Sequence, residues 1–225
     1  MSNSKLQQIV RILESSYGTP RSRSKINPFS LLVHTVLSQN TSDINSSRAF
    51  SQLTKSVGST PQILSQTPVQ KIQKVIRVAG LYRVKAPRIK KLAKIVMTKF
   101  NGDLQKLFTQ PLFEARKYLL SLPGVGFKTA DILLLFYGKY PILPLDTHCL
   151  RVASRLGYSL KSNKSNPNYE QIRTTLESEL PRNTKELYKA HILLITHGRT
   201  TCKAQKPLCP QCPLQNMCWY YNVTY

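Results

Sequence analysis

Apolar residues recur at helical spacing along most of the chain, and this pattern predicts an all-α fold. Three stripes show the spacing clearly: Leu6, Ile9, Val10 and Leu13; Ile72, Val75, Ile76 and Ala79; and Ile89, Leu92, Ile95 and Val96. They are closed by Gly18, by Gly80 and by Asn101-Gly102, the residue types that commonly end helices. No segment shows the strict alternation that is typical of a half-buried β-strand.

Helix-start signals predict where the remaining helices begin. Such signals are a capping side chain that accepts from free backbone N–H groups, or a proline at the first helical position. The predicted starts are Asn27-Pro28, Ser42, Pro111, Phe127, Thr147, Tyr169 and Thr184. The polar segments 19–27 and 161–168 are predicted to be exposed loops. A basic run on the helix of the third stripe is expected to form a solvated face, and its members are Arg83, Lys85, Arg88, Lys90, Lys91 and Lys94.

The composition adds an expectation about partners. The chain has 225 residues, of which 41% are hydrophobic, enough to bury a core. Lys and Arg number 33 against 10 Asp and Glu, a formal net charge of +23. A compact protein of this charge repels itself unless it binds a polyanion, so nucleic acid is the expected partner. On charge alone, an anionic membrane surface stays open as the alternative.

The N-terminal residues lack an apolar signal segment, and the most apolar run, 132–137, is too short to cross a bilayer. We therefore expect a cytoplasmic, nucleoid-associated protein that does not bind membranes. In such a reducing compartment, cysteines indicate metal binding or catalysis rather than disulfides.

Four of the five cysteines form the pattern Cys202-x6-Cys209-x2-Cys212-x5-Cys218. Several thiolates in one short loop select zinc or an iron–sulfur cluster. A zinc ribbon usually has two close pairs, whereas here one close pair is flanked by single cysteines, which favours the cluster. Four protein ligands leave no open coordination position, so a structural role is expected. The fifth, Cys149, lies on a predicted helix and is expected to be a small buried residue.

A glycine-rich turn lies between two predicted helices, at Leu122-Pro-Gly-Val-Gly126. Glycines allow a tight turn and a close approach, and the N–H groups that begin the next helix favour a phosphate. Lys128 stands at the start of that helix, where the positive end of the dipole disfavours a cation. A nucleophilic role is one explanation, and a solvated charge or a phosphate contact is the alternative from position alone.

Asp146 follows the proline-bearing segment 141–145 and precedes the helix predicted from Thr147. A simple helix cap is its structural explanation. An ionised carboxylate can also stabilise the positive charge that develops on a sugar as its base departs. Both roles stay open, and one side chain can fill both.

Taken together, Leu122-Pro-Gly-Val-Gly-Phe-Lys128, Leu145-Asp-Thr-His148, His197-Gly-Arg-Thr-Thr-Cys202 and the cysteine pattern resemble endonuclease III, the iron–sulfur form of the helix-hairpin-helix DNA glycosylase superfamily. The resemblance implies two all-α lobes with a DNA-binding groove between them. A six-helix barrel would occupy 28–140 and contain the helix-hairpin-helix motif at 111–137. A cluster lobe would combine 1–27 with 141–225 and contain the iron–sulfur loop 202–218.

The resemblance also implies a reaction. The chain would be a bifunctional DNA glycosylase and AP lyase, acting as a monomer on duplex DNA with oxidised pyrimidines or abasic sites. Lys128 would attack C1′ of the flipped nucleotide, form a Schiff base and cleave the strand by β-elimination, with Asp146 as its charged partner. The four cysteines, Cys202, Cys209, Cys212 and Cys218, would hold a [4Fe-4S] cluster.

The same resemblance implies DNA contacts at two kinds of site. One is the hairpin, with Leu122, Gly124, Val125, Gly126, Lys128 and Thr129. The other is the pair of inserted side chains. Asn40 stands where relatives have the glutamine that fills the gap left by the flipped base, and Gln39 is beside it, so either could fill the gap. Leu81 matches the wedge leucine of the family, and packing inward is its alternative.

Two other functions stay open from the sequence. A lyase-deficient glycosylase for mismatched or uracil-type bases belongs to the same superfamily, but such relatives usually lack the lysine. A non-enzymatic, zinc-stabilised DNA-binding protein would explain the charge, the hairpin and the cysteines, but it leaves Lys128 and Asp146 without a role.

Overall fold

The computed structural model describes residues 4–21, 27–158 and 169–224, and all regular secondary structure within these ranges is helical. The predicted all-α fold is therefore confirmed. The α-helices are α1 (Lys5–Tyr17), α2 (Pro28–Ser38), α3 (Asp43–Ser56), α4 (Pro61–Gln66), α5 (Val69–Val75), α6 (Tyr82–Phe100), α7 (Leu112–Ser121), α8 (Phe127–Phe136), α9 (Thr147–Arg155), α10 (Tyr169–Ser178), α11 (Thr184–Thr200) and α12 (Trp219–Thr224). Short 3-10 helices span Arg77–Ala79, Leu104–Thr109, Cys209–Gln211 and Gln215–Met217.

The capping residues explain why several helices begin where the sequence predicts. The Asn27 side chain accepts from two N–H groups at the start of α2, and Ser42 accepts from Asn45 N–H at the start of α3. Such caps satisfy donors that have no partner within the helix. The predicted loop 161–168 lies outside the described residues, as does most of the segment 19–27.

The second apolar stripe does not form one continuous helix. α5 ends at Val75, and a 3-10 turn at Arg77–Ala79 carries the chain into Gly80, whose φ is +63°. α4 and the 3-10 helix Leu104–Thr109 were not predicted, because six residues are too few to show a helical period.

The prediction of a solvated basic face on α6 was wrong at Lys85. Lys91 and Lys94 are exposed, but the Lys85 side chain is 2% exposed and lies on the buried face with Ile89 and Leu92. A lysine is almost never fully buried unless its ammonium group finds partners. Lys85 stands at the spacing of the apolar positions of α6. Its burial was not predicted, because a lysine is usually exposed to solvent.

The chain divides into two compact units. One is formed by Met1–Arg23 together with Lys139–Tyr225, and in it α11 packs against both α1 and α9. The other is Ser24–Gly138, in which α6 packs on α4 and α5, while α2 packs on α3 and α8. Among the described helices, none is both long and apolar enough to span a membrane.

Candidate nucleic-acid site and cysteine centre

The predicted hairpin is a tight turn between α7 and α8. The Val125 N–H donates to the Leu122 carbonyl at 3.1 Å and closes the turn, while Gly124 adopts a φ of +75°. Gly126 precedes α8 and offers no capping side chain to its first turn. The start of α8 is therefore suited to an external anion such as a phosphate, because no side chain of the cap accepts from its N–H groups.

A buried ion pair fixes the two hairpin helices against each other. Arg116 on α7 donates from Nε to Asp131 Oδ1 at 2.6 Å and from Nη2 to Oδ2 at 3.1 Å. The Asp131 side chain is fully buried, and the Arg116 guanidinium also lies 5.3 Å from the centroid of the Phe127 ring. This bidentate geometry is the strongest form of such a pair. Asp131 had no predicted role, because its partner is visible only in the fold.

The hairpin residues divide into buried and exposed groups. Three of them have side chains that are only between 4% and 6% exposed, namely Leu122, Val125 and Thr129. Only the backbone groups of these residues can therefore contact DNA. Gly124, Gly126 and Lys128 are exposed. Lys128 is the second residue of α8, directly after the turn.

Gln39 connects the end of α2 to the hairpin. Its Nε2 donates to the Gly124 carbonyl at 3.0 Å, and its Oε1 accepts from Arg88 Nη1 at 2.9 Å. The Arg88 side chain lies so close to Gly124 that a Cβ there would be 2.2 Å from Nε. Both ends of the Gln39 amide are thus engaged within this unit.

Asn40 and Leu81 have left-handed backbone conformations, with φ of 50° and 45°. Asn40 is exposed, and the Leu81 side chain is 56% exposed, so Leu81 does not pack inward. Left-handed geometry costs a residue with a side chain about 1–2 kcal/mol. A strained, exposed leucine is typical of a residue that contacts a partner rather than the core.

Asp146 lies in the other unit and is buried, with 4% of its surface exposed. It caps α9, where Oδ1 accepts from the Cys149 N–H at 2.8 Å. Cys149 itself is fully buried, as expected. The cap orients the carboxylate at the start of α9.

The segments around Asp146 are fixed by buried polar contacts. His191 Nδ1 lies 2.9 Å from the Pro144 carbonyl oxygen, just before Asp146. On α9, Arg151 donates to the carbonyls of Gly198 and Cys202 at 2.7 and 3.0 Å. These contacts tie α9 to α11 and to the cysteine loop. Asp146 caps the same helix, α9, that Arg151 links to the cysteine loop.

The four cysteines of the predicted metal centre surround one pocket. Cys209 and Cys218 are buried, and Cys202 and Cys212 are half-buried. The Leu214 N–H donates to Cys212 Sγ at 3.4 Å, and Arg155 Nη1 donates to Cys202 Sγ at 3.3 Å. The other residues that line the pocket are Val152, Leu156, His197, Thr201, Pro207, Leu208 and Tyr220.

The donor set fits a polynuclear cluster. Burial raises the pKa of the Cys212 thiol to about 11, and the other three cysteines contribute to the rise. Four thiolates therefore need a positively charged group among them. The four thiols line one shared space, and four cysteine ligands are the usual ligand set of an iron–sulfur cluster.

A neutral histidine adjoins this centre. Burial lowers the pKa of His197 to about 4, so its ring is uncharged at neutral pH. Its Nδ1 lies 2.9 Å from the Tyr17 hydroxyl of α1, and its Nε2 lies 3.8 Å from Cys212 Sγ. The N-terminal helix thus contributes to the support of the cysteine loop.

Comparisons with known proteins agree with this geometry. Residues 33–182 match the model of the HhH-GPD superfamily base excision DNA repair protein, and residues 202–218 match the iron-sulfur binding domain of endonuclease III. Endonuclease III of Sulfolobus acidocaldarius is 38% identical over 92% of this chain and 87% of its own length. Endonuclease III of Escherichia coli K12 is 32% identical over 96% and 95%.

Solved structures show the same similarity. A trapped endonuclease III–DNA covalent intermediate matches with a TM-score of 0.81 and 30% identity, covering 97% of this chain and 98% of that one. A non-covalent endonuclease III–DNA complex matches with a TM-score of 0.82 at the same identity. Because these relatives align over nearly their whole length, the chain belongs to the endonuclease III family, within the helix-hairpin-helix DNA glycosylases that carry a [4Fe-4S] cluster.

Proposed function

We propose that this protein is a bifunctional DNA glycosylase and AP lyase of base excision repair, acting on oxidised pyrimidines and abasic sites in duplex DNA. One observation carries the proposal: Lys128 is exposed on the second residue of α8, directly after the hairpin turn. An exposed amine there suits a covalent reaction, and a similar protein has been solved as a trapped covalent intermediate with DNA.

The reaction begins with the damaged nucleotide flipped out of the duplex, because C1′ cannot be reached inside the stack. The lone pair of Lys128 Nζ forms a bond to C1′, and the base departs with the electrons of the glycosidic bond and takes up the proton that the attacking nitrogen releases. Opening of the sugar ring gives a Schiff base and a protonated O4′. Removal of a C2′ proton then breaks the C3′–O bond, the 3′ phosphate leaves, and water releases Lys128.

Asp146 supplies the negative charge for the first step. Positive charge develops on the sugar as the base departs, and a fixed carboxylate stabilises it more than water would. The cap on α9 and its buried surroundings hold Asp146 in one orientation. His191 contacts the Pro144 carbonyl before Asp146, and Arg151 anchors the helix after it to the Cys202 carbonyl.

The DNA is gripped by the hairpin and by two inserted side chains. The backbone at Leu122, Gly124, Val125, Gly126 and Thr129 binds a phosphate. Asn40 fills the gap left by the flipped base, because it is exposed, whereas the Gln39 amide already bridges Arg88 and Gly124. Leu81 enters the opposite strand as an apolar wedge.

Cys202, Cys209, Cys212 and Cys218 would hold the [4Fe-4S] cluster. When bound, the cluster would cross-link the loop through these four thiolates and so stabilise it. We further assign residues 28–140 to a barrel lobe with the helix-hairpin-helix motif, and 1–27 with 141–225 to a cluster lobe.

The protein acts as a monomer. It is nucleoid-associated, because its net charge of +23 favours binding to chromosomal DNA.

Borohydride trapping tests the nucleophile. Duplexes that contain thymine glycol or an abasic site are incubated with the protein and reduced, so that a Schiff base becomes a permanent cross-link. We expect cross-linking by the native protein and its abolition in Lys128→Ala, because alanine has no amine. Lys117→Ala, which removes an exposed lysine from α7, is the matched control and should trap normally.

The outcomes separate the candidate functions. Trapping that survives Lys128→Ala would show that another amine is the nucleophile. Base release without any trapping would indicate a monofunctional glycosylase. A colourless protein that contains stoichiometric zinc and releases no base would indicate a non-enzymatic DNA-binding protein.

A further inference from the structure

Lys85 is a buried cation that the proposed reaction does not use. It lies on the first turns of α6, and its Nζ donates three hydrogen bonds: to the Leu37 carbonyl at 2.8 Å, to Thr41 Oγ1 at 2.7 Å and to the Ala79 carbonyl at 2.9 Å. All three acceptors are neutral. Burial, with Arg88 nearby, lowers the pKa of Lys85 to about 8, so at neutral pH the ammonium group keeps its three donors.

The three acceptors lie in two separate segments, which we call the Asn40 loop (37–41, from the end of α2) and the Leu81 turn (79–81, from the end of the 3-10 helix). Leu37 and Thr41 flank the segment that contains Gln39 and Asn40, at the end of α2. Ala79 precedes Gly80 and Leu81, at the start of α6. Thr41 Oγ1 also makes a hydrogen bond with the Ala79 carbonyl, so the two segments and the ammonium group form one closed set of contacts.

Both segments carry an exposed side chain on left-handed backbone, at Asn40 and Leu81. Asparagine adopts this conformation readily, whereas leucine is strained in it. Such strain persists only where the surrounding contacts over-determine the conformation. The Lys85 N–H donates to the Leu81 carbonyl at 2.9 Å, so Lys85 holds this turn through its backbone as well as its side chain.

We propose that Lys85 is a positioning residue, which joins the Asn40 loop to the Leu81 turn so that the gap-filling and wedge side chains enter the duplex as one rigid unit. This inference rests on the proposed function, since it concerns how the same site displaces a nucleotide. It adds a determinant of duplex recognition that touches no DNA itself.

The chemistry explains why a lysine suits this position. Three neutral oxygen acceptors around one point need three donors, and an ammonium group supplies three on a slender stem. A planar guanidinium has a different donor geometry, and an apolar side chain would leave three buried acceptors unsatisfied. The desolvation of the charge is offset by these three hydrogen bonds.

The test compares DNA that needs insertion with DNA that does not. Lys85→Met keeps the length of the side chain and removes its donors. We measure the affinity for a duplex with a tetrahydrofuran abasic analogue, and the rate of strand cleavage at an abasic site in single-stranded DNA. We expect duplex affinity to fall about tenfold or more, equivalent to about 1.4 kcal/mol. Cleavage of the single strand, which has no opposite base to displace, should stay within about twofold.

A fluorescent base adds a direct reading of insertion. With 2-aminopurine opposite the abasic analogue, the native protein should raise the fluorescence as it unstacks this base, and Lys85→Met should raise it much less at saturating protein. Lys99→Met is the control, since it removes an exposed lysine from the last turn of the same helix. It should behave as the native protein in all three measurements.

Each result decides the matter. Equal losses on duplex and single-stranded DNA would show that Lys85 only stabilises the fold, and unchanged duplex affinity would also overturn the proposal. If Lys85→Met does not fold, Thr41→Val decides, because it removes one acceptor and leaves the other two; its duplex affinity should fall selectively, and unaltered affinity overturns the proposal. Failure of the native protein to trap any abasic DNA would instead reject the proposed function.

Discussion

Asp146 combines two roles at the scale of a single residue, since it caps α9 and is the proposed partner of Lys128. Asparagine caps helices about as well as aspartate, so Asp146→Asn keeps the structural role and removes the charge. We expect base excision under single-turnover conditions to slow by about 10²-fold or more, as is typical when a preorganised charge is lost from an active site. The affinity for duplex with an abasic analogue should stay within about threefold.

Asp103→Asn provides a matched control for this change. Asp103 also caps a helix, the 3-10 helix Leu104–Thr109, where it accepts from the Gln105 N–H at 2.9 Å. Both variants should melt close to the native protein, and only Asp146→Asn should lose activity. Normal excision by Asp146→Asn would reduce this residue to a cap.

Residue types along the sequence were a good guide to candidate chemical roles, but a poor guide to the surroundings of each side chain. The sequence singled out Lys128, Asp146 and the cysteines because rare residue types stood at informative positions. It misjudged Lys85, because lysines are usually solvated and the three carbonyl and hydroxyl acceptors come together only in the fold. The contacts of Gln39 with Gly124 and Arg88, on which our proposal of Asn40 as the gap-filling residue is based, were equally inaccessible from the sequence.

At the scale of elements, the hairpin turn depends on Gly124, whose backbone conformation disfavours any residue that has a Cβ. Gly124 has a positive φ, and an added Cβ would lie 2.2 Å from Arg88 Nε. Gly124→Ala therefore strains the turn and displaces Arg88 from Gln39. We expect a destabilisation of about 1–2 kcal/mol from the backbone alone and about tenfold weaker binding to duplex with an abasic analogue.

Gly18→Ala separates strain from contact. Gly18 follows α1 with a φ of +81°, but a Cβ there would meet no atom within 4 Å. The melting temperature should fall in both variants, whereas DNA affinity should fall only in Gly124→Ala. If the two variants bind DNA with equal affinity, the hydrogen bond between Gln39 and Arg88 is not needed for binding.

Helix positions were predictable where local chemistry marks them. Asn27 and Asp146 cap the helices that follow, and the apolar stripe of α1 is buried as its spacing indicates. The break between α5 and the 3-10 turn at Arg77–Ala79 was not predicted, because the apolar spacing continues through it. That break creates the Gly80–Leu81 turn, so the unpredicted irregularity carries a candidate DNA contact.

At the scale of the whole molecule, the cysteine loop also contacts the helices α1 and α9. Arg151 and Arg155 of α9 bond to carbonyls of the loop, and Tyr17 of α1 reaches Thr201 and His197 at its beginning. The N-terminal helix α1 and the helix α9, which follows Asp146, are therefore both anchored to this loop. We therefore expect loss of the cluster to weaken the contacts of α9, the helix that Asp146 caps.

The charge of the whole molecule leads to a prediction about salt. Each phosphate that a lysine or arginine neutralises releases counterions, so the logarithm of affinity falls linearly with the logarithm of salt concentration. With a net charge of +23, we expect affinity for undamaged duplex to fall by at least about 10³-fold between about 50 and about 200 mM salt, as for six or more phosphate contacts. Fluorescence anisotropy across a salt series measures this slope, and anionic lipid vesicles provide the comparison for a membrane-directed charge. A slope shallower than about −2, or tighter binding to the vesicles, would mean that the positive charge does not act mainly by neutralising DNA phosphates.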